Sequence, residues 1–153
     1  MDTMTREEAM ALLEAAPVAH IGVVVGGLPY VTPMSFVVDG DRIMFRTLAG
    51  KKLEGMRANP VVCVEAAKFD TESGEWASVI VMGTASETDD GDTRTMVVGK
   101  LLEKYREAVG SPLSRGGLQP MTGLPHVVVV EIHEVSGMVS GSGFGHRTKP
   151  GRL

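Results

Sequence analysis

The chain has 153 residues and a mass of 16.2 kDa, which fits one domain that buries about two thirds of its unfolded surface. Its net charge of −4 argues against general binding to nucleic acid or to anionic membranes, because the long-range field repels both. The single cysteine, Cys63, excludes an intrachain disulfide and a cysteine-based zinc site. No segment approaches 18 uninterrupted apolar residues and no secretory leader is recognisable, so we predict a soluble cytoplasmic protein.

The first predicted element is a helix over residues 5–16. Thr5 and Glu8 form the S/T-x-x-E pattern of a capping box, and apolar residues follow at helical spacing. Pro17 ends the helix, because the residue before a proline avoids the helical region. We expect this helix to cover an open end or a seam of a sheet.

A hairpin is predicted next, with strands at 18–25 and 28–38 joined by Gly26-Gly27. Pro33 cannot donate to a sheet ladder, so the second strand should be bulged or lie at an edge near that residue. Backbone groups that lack a strand partner there could contact a ligand. The alternative is an ordinary bulged strand.

The stretch 43–60 combines a short strand, a basic corner and the start of a helix. The strand ends in an arginine and a threonine, and a glycine and two lysines then open a helix that stops at Asn59-Pro60. Unpaired N–H groups and the positive end of the dipole make a helix start suitable for a phosphate. The alternative is that the basic residues form a solvated helix face. The residues assigned to this anion site are Arg46, Thr47, Gly50, Lys51 and Lys52.

The remaining elements alternate between strands and one further helix. Their hydrophobic patterns and turn residues indicate where each element begins and ends. In chain order we predict a strand at 61–67, a strand at 76–87 with a bulge or close approach at Gly83, a helix from the cap candidates at 89–92 to about residue 109, a long connection at 110–125, a final strand at 126–132, and a mobile tail at 138–153.

Common catalytic and metal patterns are not found in the sequence. The four histidines have no short ligand spacing, so a metal site has no support. No nucleophile elbow, nucleoside-triphosphate loop or dinucleotide fingerprint occurs. We therefore assign no catalytic residue.

Six short motifs follow each other along the chain. They are P-x-x-F from Pro33 to Phe36, D-G at Asp39-Gly40, F-R-T from Phe45 to Thr47, G-x-K-L from Gly50 to Leu53, R-x-N-P from Arg57 to Pro60, and W-x-S from Trp76 to Ser78. In this order they resemble the split-barrel flavin-binding proteins, the superfamily that contains pyridoxamine 5′-phosphate oxidase. The resemblance covers roughly residues 5 to 137.

This resemblance implies a mainly β protein: a single domain (1–153) forming a six-stranded antiparallel split barrel with flanking helices. It further implies a homodimer with flavin mononucleotide (FMN) between the subunits, acting on a small-molecule substrate. The phosphate would be held by the basic corner. The segment predicted to run beside the flavin ring consists of Pro33, Met34, Ser35 and Phe36. The residues predicted to lie near the cofactor or the subunit interface are Trp76, Ser78 and Val79, although Trp76 could instead be a half-buried core aromatic.

Two departures from the family pattern bear on the activity. Gly137 is followed by Met138 where family members often have arginine, and the substrate-gripping R-x-H segment of the pyridoxamine-phosphate oxidases is absent. A reductase of quinone-like or nitro compounds is therefore favoured over vitamin synthesis. The alternatives left open are a reductase that uses a deazaflavin cofactor and a non-catalytic protein that binds flavin or haem.

Overall fold

The computed structural model describes residues 1–109 and 125–141. Within them the chain forms one sheet with flanking helices. The strands are β1 (Asp2–Thr3), β2 (Ala19–Val25), β3 (Leu28–Met34), β4 (Val37–Asp39), β5 (Arg42–Thr47), β6 (Val61–Phe69), β7 (Trp76–Thr88) and β8 (His126–Val139). The helices are α1 (Arg6–Ala15), α2 (Lys51–Ala58), α3 (Gly91–Lys104) and α4 (Arg106–Val109).

The strand order explains why the sheet curls. All pairs are antiparallel, in the order β3-β2-β6-β7-β8-β5-β4, with β1 added to β8. The two edge strands, β3 and β4, are joined by only Ser35 and Phe36. Two residues span too little distance to cross an open sheet of this width, so the edges must approach each other. The result is a split barrel whose seam is not closed by strand pairing, as predicted.

The number of strands differs from the prediction, with eight in the described residues instead of six. The predicted strand 28–38 breaks at Ser35 and Phe36, because the backbone of Phe36 bonds to side chains of α3 instead of a neighbouring strand. The final strand runs to Val139, beyond the predicted end at residue 132. Pro33 lies on an edge strand, as expected. The predicted connection 110–125, except Pro125, and the tail from residue 142 lie outside the described residues.

The helix predicted at 5–16 is confirmed, whereas the helix predicted to reach about residue 109 is divided into α3 and α4. Thr5 caps α1 with the complete capping box, and α1 buries Ala9 and Leu13. Asp90 caps α3 through the Thr93 N–H. α3 ends at Lys104, with Tyr105 as its C-cap. None of the helices in the described part of the chain is long and apolar enough to cross a membrane.

The core is aliphatic, as the composition predicts, and only two aromatic residues, Phe36 and Phe45, are among its largest fully buried side chains. A second cluster lies on the other face of β5 and β8, where Val97 and Leu101 of α3 pack against apolar residues that include Val37. β7 shifts register between Met82 and Gly83. A Cβ at Gly83 would come within 2.5 Å of the Glu131 carbonyl oxygen, which confirms the predicted close approach.

Candidate functional site

The basic corner forms where β5 ends and α2 begins. Gly50 is the N-cap of α2, and within residues 1–109 and 125–141 no side-chain hydrogen bond caps the start of this helix. Thr47, only 7% exposed, is the one buried polar side chain of the described core. Its hydroxyl donates to the carbonyl of Leu48 at 3.2 Å, so in this arrangement its lone pairs can accept from a ligand donor, while the N–H groups of the helix start can donate to a ligand acceptor.

The cations of this corner have no carboxylate partners. In residues 1–109 and 125–141, Arg46, Lys51 and Lys52 form no ion pair, although most other described arginines and lysines do. The Lys52 ammonium lies 5.3 Å from the centre of the Phe45 ring, and burial lowers its pKa. A half-buried cation without a counter-charge is unfavourable. An anion bound at this corner would remove that cost.

A paired cluster lies beside the corner. Thr47 is opposite His126 in the sheet register, and His126 Nδ1 lies 2.9 Å from Glu87 Oε1. Arg57 donates two hydrogen bonds of 2.8 Å to the same carboxylate. The bond from Arg57 is the largest cause of the lowered pKa of Glu87. Because Glu87 is held by two basic residues, it presents little free negative charge to the corner.

The segment from Pro33 to Phe36 enters the sheet close to this corner. Val37, the residue after the segment, is opposite Met44, which lies two residues before Arg46. Pro33 and Ser35 are exposed, whereas Met34 and Phe36 are buried. The exposed residues of the segment and the basic corner can therefore contact one ligand.

Trp76, Ser78 and Val79 are at the other end of β7. Arg46 is opposite Val127, which is opposite Thr88, the last residue of that strand. Trp76 is the first residue of the 13-residue strand, about 40 Å away along an extended chain at roughly 3.3 Å per residue. Trp76 is half-buried, and its backbone N–H donates to the Ser140 hydroxyl at 2.8 Å. The fold of the chain thus does not bring these residues to the corner.

Ser78 and Val79, which follow Trp76 in β7, have different environments. Val79 is fully buried, so its side chain contacts the core and not solvent. Ser78 is half-buried and lies opposite Met138 of β8. A ligand could reach the Ser78 side chain more readily than that of Val79.

Lys104 and Tyr105, which the sequence analysis did not assign to the site, hold the segment from Pro33 to Phe36 in place. Tyr105 accepts a hydrogen bond from the Phe36 N–H at 3.1 Å, and Lys104 donates to the Phe36 carbonyl at 3.1 Å. Burial lowers the pKa of Lys104 to about 8, an effect that the Glu14 carboxylate partly offsets. Burial raises the pKa of Tyr105. Their sequence separation from Phe36 gives no local signal, although Tyr105 falls on the predicted apolar face of its helix.

The arrangement has no group of metal ligands in the part of the chain that the structure describes. The fold and the site together define a split-barrel protein with a basic corner where β5 meets α2. Residues 5–139 match the pyridoxamine 5′-phosphate oxidase family. The chain belongs to this family.

Two solved structures are similar to this chain over most of its length. A FAD-binding protein from Mesorhizobium loti is 24% identical, with a TM-score of 0.74, over 92% of this chain and 98% of its own. The FAD-binding protein of Mycobacterium smegmatis is 26% identical, with a TM-score of 0.63, over 91% and 98%. An uncharacterised protein from Rhizobium meliloti is 31% identical over 84 residues, which span 55% of each chain, about half the length of that relative.

Proposed function

We propose that this protein binds FMN with the phosphate in the basic corner. The observation that supports this most is that Arg46, Lys51 and Lys52 have no carboxylate partner in the described ranges, beside a helix start that no side chain caps. A phosphate dianion would accept charged hydrogen bonds there, each worth about 1.5–3 kcal/mol. The donor set therefore fits the phosphate group of a flavin nucleotide.

The flavin ring is assigned to the segment that includes Pro33, Met34, Ser35 and Phe36, next to the corner. Bound flavin would supply the electron transfer, while the protein supplies position, electrostatics and a shaped pocket. We therefore propose an oxidoreductase that reduces a small organic substrate without a side-chain base. The exposed hydroxyl of Ser35 and the free edge of β3 are the groups that can orient the ring edge.

The proposed site is completed by a second copy of this chain. Trp76 and Ser78 are too far from Arg46 to contact the same flavin within one subunit, whereas a partner subunit could bring its own copies there. An apolar row supports such a contact: Val31, Gly22, Cys63 and Met82 follow each other in register across four adjacent strands. Val31 is 63% exposed, and exposed apolar surface of this kind is typical of an interface. We propose a cytoplasmic homodimer that binds neither nucleic acid nor membranes.

Absorbance of the purified protein tests the proposal. Oxidised-flavin bands that are bleached by a nicotinamide cofactor, and that return when a quinone or nitro compound is added, are the expected result. A bound flavin that cannot be reduced would indicate a binding protein instead of an enzyme. A haem absorbance band would indicate that the cofactor is haem instead of flavin. Chromatography of the released cofactor separates FMN, the expected species, from FAD and from a deazaflavin.

Sedimentation and fluorescence test the shared site. With FMN bound, the protein should sediment as a dimer at micromolar concentration, and FMN should raise the melting temperature by mass action. Trp76 emission should be quenched, since an indole within about 4.5–7 Å of the ring would stack on it. A monomer that holds flavin, with unchanged Trp76 emission, would refute the shared site and leave the corner as the only binding element.

A further inference from the structure

The seam of the barrel is closed by side chains instead of strand pairing. β3 ends at Met34 and β4 begins at Val37, so Phe36 has no partner in the sheet. Its N–H donates to the Tyr105 hydroxyl at 3.1 Å, and its carbonyl accepts from the Lys104 ammonium at 3.1 Å. Both backbone groups of this residue are therefore satisfied by the end of α3.

The same two residues fix more than one point of the seam. The Lys104 ammonium lies 3.7 Å from the centre of the Phe36 ring, which is fully buried. The Tyr105 hydroxyl donates to the carbonyl of Pro17 at 2.9 Å, in the connection between α1 and β2. Phe36 is thus held through its N–H, its carbonyl and its ring. This leaves its neighbours in the chain little freedom to rotate.

The helix that carries these residues is itself held against β4 and β5. Val97 and Leu101 are buried against Val37 and Met44. One turn before Lys104, Lys100 forms an ion pair with Asp39, with 3.8 Å between Nζ and Oδ1. The buried packing of Val97 and Leu101, and not the solvent-exposed Lys100–Asp39 pair, makes the contacts at Phe36 a rigid support.

We propose that Lys104 and Tyr105 are positioning residues that set the shape of the segment beside the flavin ring. This inference rests on the proposed function, which assigns the ring to Pro33–Phe36. Ser35, the exposed residue of the break, is bonded directly to Phe36, so a rotation of Phe36 would move the Ser35 hydroxyl and the backbone groups at the ring edge. Binding groups must be held to within about 0.5 Å to act together.

Two variants and a matched control test this role through flavin affinity. Tyr105→Phe removes only the hydroxyl, and Lys104→Met removes the donor and the charge at similar length. Lys100→Met makes the same charge change on the same helix, but Lys100 contacts Asp39 and not Phe36. We expect both seam variants to weaken binding roughly three- to tenfold, the equivalent of one hydrogen bond, with no change in Lys100→Met.

The choice of ligand separates a positioning role from the phosphate corner. FMN and riboflavin share the ring but differ in the phosphate. Seam variants should weaken binding of both by the same factor, whereas variants of the corner should affect FMN far more than riboflavin. Titrations run well below the melting temperature of every variant exclude an effect of global unfolding. If the wild type binds FMN, and the seam variants bind FMN and riboflavin as tightly as the wild type does, the positioning role is overturned.

Amide hydrogen exchange of the flavin-free protein tests the support itself. The Phe36 amide should exchange faster in Tyr105→Phe than in the wild type and in Lys100→Met, because its acceptor is lost. Equal exchange in all three proteins would overturn the inference even if flavin binds. Faster exchange together with no flavin binding by the wild type would instead refute the proposed function, and with it the role in binding.

Discussion

The two ends of α2 both present basic side chains, but only one end leaves them without partners. At the C-terminal end, Arg57 donates two 2.8 Å hydrogen bonds to Glu87. At the N-terminal end, Lys51 and Lys52 form no ion pair in the described parts of the chain. A surface cation that is paired with a carboxylate makes a structural contact. A cation without such a partner, beside a helix start that no side chain caps, can hold an anion. We therefore base the proposed phosphate site on which cations lack carboxylate partners, more than on the number of charges.

The strongest test of this comparison removes the unpaired cations. Arg46→Ala or Lys52→Ala should each weaken FMN binding by about 1.5–3 kcal/mol, or roughly ten- to a hundredfold, because each removes a charged hydrogen bond to the phosphate. Stability should hardly change. Calorimetric titration measures the loss, with Arg6→Ala as the control, since Arg6 is paired with Asp41 elsewhere on the surface. Unchanged FMN affinity in both corner variants would sink the phosphate assignment.

The position of α2 can be shifted without touching a charge. A Cβ at Gly55 would lie 2.8 Å from the Val24 carbonyl oxygen, so Gly55→Ala should push the helix away from β2. We expect it to lower the free energy of unfolding by about 1–3 kcal/mol, as overpacking does, although alanine favours a helix by about 1 kcal/mol. FMN affinity should fall as well.

Gly99 provides the matched control for that change. It lies on the exposed face of α3 with open space around it. Gly99→Ala should therefore stabilise the protein by roughly 0.5–1 kcal/mol through helix propensity alone. Urea denaturation compares the two variants. A stabilised Gly55→Ala protein with normal FMN affinity would show that the tight contact of α2 with β2 does not set the corner.

The pairing of Lys104 is intermediate between that of the cations at the two ends of α2. The Lys104 ammonium is half-buried and donates to a carbonyl instead of a carboxylate. Its pKa of about 8 in the folded protein is below the ordinary value of 10.5. Between these values the unfolded chain binds a proton that the folded protein has lost, so stability should rise with pH from about 8 to 10.5. Urea denaturation of wild type and Lys104→Met across this range measures it. Parallel pH profiles would contradict the desolvation of Lys104.

The smallest effect is expected at the paired end of α2. The pKa of Glu87 is lowered, mainly by the bond from Arg57, so this contact stabilises the fold above the ordinary value of 4.5 and is lost as the pH falls through the lowered value. Arg57→Gln should be slightly less stable than wild type at pH 7, and the difference should shrink in acid. Its FMN affinity should be unchanged. A loss of affinity as large as that of Lys52→Ala would erase the distinction between the two ends.

The sequence determined most of the local structure. The capping box at Thr5, the hairpin at Gly26-Gly27 and the strand-to-helix corner at Arg46 are set by neighbouring residues, and all three form as predicted. The continuation of β8 had a local signal too, because Val135, Gly137 and Val139 continue the alternation typical of a strand with one buried face. The prediction ended that strand too early.

Only the tertiary structure decided which of these groups meet. Phe36 finds Tyr105 at a separation of 69 residues, and Arg57 finds Glu87 at a separation of 30, distances over which no local pattern operates. The same holds for Trp76, whose place at the opposite end of β7 from the corner depends on the order of the strands. Residue types and turns determined the basic corner from the sequence, because its groups are close in the chain. The packing of the sheet and of α3 determined its surroundings, because burial and pairing depend on residues that are far apart in the chain.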